Sequence, residues 1–179
     1  MFRRFRVLLL VFGGLFVSAA AFTESDEPDL PKEIAVPPGY RRLLKVEGKG
    51  VQIYKSNELT GGKLVWAFEA PLADLFNDKG DMVGYHYEGP SWEALDGSRV
   101  VRDGAVPVKS VPAPNPQKNI PWLLVKVNAK AVEPGAFTQA AYIQRLQTSG
   151  GKEPINNPKR AGTRVGVPYT ALYILYTKE

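Results

Sequence analysis

The 179-residue chain has no cysteine and a single histidine, His86. Without thiols there can be no disulfide, no cysteine nucleophile and no thiolate metal ligand. A lipid anchor attached through cysteine is excluded on the same ground. One imidazole cannot build the His- and Cys-rich donor sets that hold zinc, haem or iron–sulfur clusters, so neither a metal site nor a cofactor is expected. Gly48 and Gly50 are a fragment of a dinucleotide-binding fingerprint, but the third glycine is missing and a strand-like run follows. Long apolar runs are lacking too. Val7 to Val17 falls well short of the roughly 20 residues that span a bilayer.

What stands at the N-terminus fits a secretory leader. Arg3, Arg4 and Arg6 precede the apolar run, and Ser18, Ala19, Ala20 and Ala21 supply small residues for cleavage. Residues 1–21 are therefore read as a Sec-type signal peptide. Secretion to the periplasm or the extracellular space follows, with no stable membrane anchor after cleavage. Loss of those three arginines lowers the formal charge from +5 to +2. The basic balance is then too small to indicate nucleic acid as a partner. Residues 22–38 are acidic and then proline-rich, an extended spacer. Residues 39–179 form one domain, long enough to bury a core.

Within that domain turn signals recur at short intervals: Gly48 with Gly50, Gly61-Gly62, Asp78 with Gly80, Gly89-Pro90, Asp96-Gly97 and Asp103-Gly104. Asp-Gly is a strong hairpin signal, because a type I′ turn needs positive φ at both central residues. Between the turns lie β-branched and aromatic runs such as Val51-Gln52-Ile53-Tyr54 and Val83 to Tyr87, where Tyr85 and Tyr87 share a face opposite His86. Trp122 to Asn128 and Pro168 to Tyr176 are apolar on both faces, as central strands are. Residues 137–148 allow strand or helix, with strand favoured. The prolines of 111–121 and the Gly/Pro/Asn-rich stretch 150–168 read as connections. The fold class expected is all-β, a single antiparallel β-sandwich, with barrel-like closure as the variant.

Several stretches together identify a family. They are Val51-Gln52-Ile53-Tyr54, Trp66-Ala67-Phe68 with Ala70-Pro71, His86-Tyr87 with Gly89-Pro90-Ser91-Trp92-Glu93, and Asp96-Gly97-Ser98. Ile120-Pro121-Trp122, Tyr142-Ile143-Gln144-Arg145, Gly150-Gly151 and Val167-Pro168-Tyr169 continue the set. In these the chain resembles domain-of-unknown-function family 3455, exported proteins of bacteria and fungi with no established activity. The resemblance runs from about Pro38 to Tyr176. Members commonly carry cysteines where this chain has Ser56 and the region 155–157. The resemblance thus implies that the hairpin end near Ser56 lies close to the 150–168 loop.

The chemistry available is modest. His86, with Glu93 or Asp96, could form a His/carboxylate pair, and these three are the catalytic candidates. The plainer reading makes His86 a satisfied core or surface imidazole, Asp96 a turn residue and Glu93 part of a solvated face. Arg145 lies in an apolar segment, so it either pairs with a buried acid such as Glu93 or clamps an anionic ligand through its guanidinium fork. Asp74, Asp78 and Asp81 with Asn77 read as a solvated turn, not a calcium loop. Tyr169, Tyr173 and Tyr176 read as core aromatics. His86, Tyr87, Trp92, Glu93 and Arg145 are expected to form one polar–aromatic ligand-binding cluster. The functional expectation is a non-enzymatic binding or structural module facing an unidentified envelope or extracellular ligand. The alternative is a secreted hydrolase acting on a carbohydrate or ester.

Overall fold

A computed structural model of the chain describes residues 30–130 and 134–179. The leader expected over 1–21 and the first part of the spacer, 22–29, lie outside the described residues. Nine strands follow a short 3-10 helix at Lys32–Ile34: β1 (Tyr40–Glu58), β2 (Leu64–Phe76), β3 (Met82–Tyr87), β4 (Ser91–Ala94), β5 (Arg99–Arg102), β6 (Lys109–Val111), β7 (Trp122–Ala129), β8 (Ala140–Gly150) and β9 (Arg164–Lys178). They form one sheet in the order β5-β4-β3-β2-β1-β9-β8-β7-β6. All pairings are antiparallel.

The sheet closes on itself. β5 also pairs with β7, so eight strands make a ring, which is the barrel-like form of the expected all-β fold. One edge of β7 is shared between two short partners. Val127 to Ala129 take β5, and Trp122 to Leu124 take β6.

Period-two alternation decides what faces inward. On β1, Val46, Gly48, Gln52, Tyr54 and Ser56 are buried while their neighbours are more exposed. On β9, Tyr169, Ala171, Tyr173 and Leu175 join the interior cluster with Trp92, Val125 and Ile143. Gly48 and Gly50, read from sequence as a turn, lie in mid-strand instead. A Cβ on Gly48 would stand 2.6 Å from Cε2 of Tyr173, so the missing side chain makes room for that ring.

The other face of β7, β8 and β9 is apolar as well, and the N-terminal segment covers it. Ile34 is fully buried with Leu124, Leu146 and Ile174, and Leu30 and Val36 pack beside it. Gln144 fastens this strap by donating to the Ile34 carbonyl (2.8 Å) while accepting from the Tyr176 hydroxyl (2.6 Å). Residues 30–36, assigned from composition to the spacer, are thus docked on the barrel.

Of residues 137–148, favoured as strand, 140–148 are strand and 137–139 form a turn. β9 begins at Arg164, four residues before Pro168. Pro168 is tolerated because β8 ends at Gly150, opposite Tyr169, so proline's missing N–H falls beyond the ladder on that side. The contact implied for Ser56 is made. Its N–H donates to the Thr163 carbonyl (2.8 Å), its carbonyl accepts from Gly162 N–H (2.9 Å), and Trp66 opposite it donates to the Asn156 carbonyl (2.8 Å).

Candidate functional site

Inward-facing side chains leave a cavity of about 290 Å³ in the barrel. Its most buried lining groups include His86, Trp92, Gln52 and Tyr173. It opens where Phe68 and Arg102, both exposed, lie on its lining. Val108, Leu123 and Val125 add apolar wall at the edge of β7 that β5 and β6 share.

His86 and Trp92 face each other across the β3–β4 pair. Their rings stack at 4.3 Å between centroids and 14° between planes, and Tyr173 meets His86 edge-on at 5.1 Å. His86 Nδ1 lies 2.8 Å from the Ser91 carbonyl oxygen. A carbonyl only accepts, so Nδ1 carries the proton and Nε2 keeps its lone pair. Burial pushes the imidazole pKa down to about 3; the Ser91 bond opposes that shift and the nearby Arg145 charge adds to it. His86 is therefore neutral at physiological pH and far from the range of an effective base near neutrality.

Arg145 projects from β8 between Leu123 of β7 and Tyr173 of β9. Its Nε and Nη2 both donate to the Pro121 carbonyl, at 3.2 and 2.9 Å, and it also hydrogen-bonds Tyr173. The Tyr173 and Tyr169 hydroxyls are 3.1 Å apart, and burial is the main cause raising both phenol pKa values. Among the described residues no carboxylate forms an ion pair with Arg145, and none lines the cavity. Trp92 Nε1 is buried and has no hydrogen-bond partner.

The five residues expected to cluster divide between the two faces of the sheet. His86, Trp92 and Arg145 line the cavity. Tyr87 and Glu93, one position along from His86 and Trp92, lie on the outside, where Tyr87 donates to Glu93 Oε2 and accepts from Arg99 Nη1 at 3.3 Å. Glu93 is therefore not the partner of Arg145. Asp96 is a turn residue: the Ser98 hydroxyl foremost, then the N–H groups of Ala136 (2.9 Å) and Ser98 (2.8 Å), hydrogen-bond its carboxylate and hold its pKa down. Asn77 likewise organises its own turn, accepting from the N–H groups of Lys79 and Asp81. Sequence reasoning missed Gln52 and Arg102. Gln52 was accessible in principle, since it sits two residues before Tyr54 on the same face of an alternating run.

A sequence profile described as a protein of unknown function, DUF3455, matches residues 37–177. The chain belongs to the DUF3455 family. That span takes in β1 to β8, β9 up to Thr177, and every residue lining the cavity. No curated protein and no solved structure matches the chain significantly. The DUF3455 name carries no activity.

Proposed function

We propose that this DUF3455 domain is a non-enzymatic binding module that takes a small molecule into the barrel, working in the cell envelope or extracellular space. The observation that carries the reading is the cavity, apolar over most of its wall, with the half-buried guanidinium of Arg145 on its lining. The hydrolase alternative needs a carboxylate beside His86. Glu93 and Asp96 are both engaged elsewhere, outside the cavity. The address rests on the leader read in residues 1–21, and fractionation of expressing cells tests it.

The binding test is a thermal-shift panel of small molecules on the wild type and on Leu123→Trp, which fills the wall. A ligand that binds the native state raises the melting temperature by mass action. Upshifts in the wild type that vanish in the folded variant support the reading. No upshift with any compound, or equal upshifts in both proteins, counts against it.

A further inference from the structure

We infer that the ligand of this cavity is a small organic acid with an apolar body, its carboxylate paired with the guanidinium of Arg145. This rests on the binding reading above and adds the ligand's charge and class.

Four observations carry it. The two ionised groups on the lining are both cationic, Arg102 and Arg145. A guanidinium cannot shed its proton to escape a half-buried site, so it needs a counter-charge or enough dipoles to replace one. Arg145 has only the Pro121 carbonyl and the Tyr173 hydroxyl. Those contacts leave part of its five-donor fork unused, in the planar geometry that suits a carboxylate.

The second observation is an excess of donors. Arg145 and Arg102 bring guanidinium N–H groups to the lining, and among the described residues no carboxylate lines the cavity to accept from them. Third, Leu123, Val125, Val108 and Phe68 supply apolar wall to the same space, which suits a hydrocarbon or aromatic body more than a sugar. Fourth, about 290 Å³ is small, which favours a compact acid over a polymer or a nucleotide. Arg102, exposed on the lining, adds a field of the same sign that draws anions toward the cavity.

The test pairs acids with their neutral amides: benzoate with benzamide, and hexanoate with hexanamide. Affinities are measured by calorimetry. The indole N–H signal of Trp92 in an NMR spectrum, assigned through Trp92→Phe, reports whether each probe enters the cavity. At least one acid is expected to bind at least tenfold more tightly than its amide. Arg145→Gln is expected to bring that ratio close to one by weakening the acid alone. Equal affinities for acid and amide, with the Trp92 signal moving for both, would overturn the inference and leave the binding reading standing. A preference for acids erased by Arg102→Gln but not by Arg145→Gln would overturn the assignment to Arg145. Silence from all four probes counts against both readings. Should Arg145→Gln fail to fold, the acid-to-amide ratio in the wild type decides.

Discussion

Acidification from pH 7 to pH 5 is expected to destabilise the protein by about 2 kcal/mol through His86 alone. In the unfolded chain the imidazole titrates near 6.5, whereas in the barrel it is held down at about 3. Between those values the unfolded state binds a proton that the folded state refuses. Stability therefore falls as pH drops through 6.5, and the loss levels off below about 3. At pH 5 the gap from 6.5 corresponds to roughly 1.5 decades in the unfolding equilibrium, or about 2 kcal/mol.

The assay is urea unfolding followed by tryptophan fluorescence at pH 7, 6 and 5, on the wild type and on His86→Phe. Phenylalanine keeps a ring against Trp92 but gives up the bond to Ser91, so the variant should be weaker at pH 7 by about 1 kcal/mol. Between pH 7 and pH 5 the variant should lose about 2 kcal/mol less than the wild type. Carboxylates with lowered pKa values, Asp96 and Asp103 among them, also weaken the fold in acid. They do so equally in both proteins and cancel in the difference. Parallel stability curves would refute the reasoning, because they would mean that His86 can take a proton without leaving its site.

Gly48→Ala should lower stability by about 1–3 kcal/mol in the same urea assay, because its Cβ would meet the fully buried ring of Tyr173 at 2.6 Å and force it off its packed position. Ile34→Ala should detach the N-terminal strap without opening the ring. The expected sign is rapid trypsin cleavage after Lys32, with the main unfolding transition nearly unchanged, and a large drop in that transition would show that the strap helps hold the barrel together.

The strand content was legible because burial on one face leaves a period of two, as in Val51 to Tyr54, and because Asp96-Gly97 marks its hairpin. Ring closure was not legible. It depends on a short pairing between Val100–Arg102 and Val127–Ala129, whose residues look like any other strand ends. Gly48 and Gly50 were misread because glycine serves both a turn and the close approach of a neighbour, and only the position of Tyr173 distinguishes the two. The site was half legible for a related reason. His86, Trp92 and Arg145 stood out by residue type, yet adjacency in sequence drew in Tyr87 and Glu93, which alternation sends to the opposite face. Docking of residues 30–36 was hidden because an acidic, proline-rich stretch reads as spacer until the apolar outer face of β7, β8 and β9 is known to need a cover.

One of the two neighbours of β1 in the ring is β9, the last strand of the fold, paired with it from Tyr40 opposite Lys178 to Lys55 opposite Arg164. The first strand to be synthesised thus waits for the last. Until residues 164–178 have emerged, one long edge of β1 has no partner and the strap has no complete surface to dock on. Seven of the nine pairings join consecutive strands, so it is closure through β1–β9 and β5–β7 that comes late and leaves strand edges open meanwhile. The ring therefore stays open until the last strand has emerged.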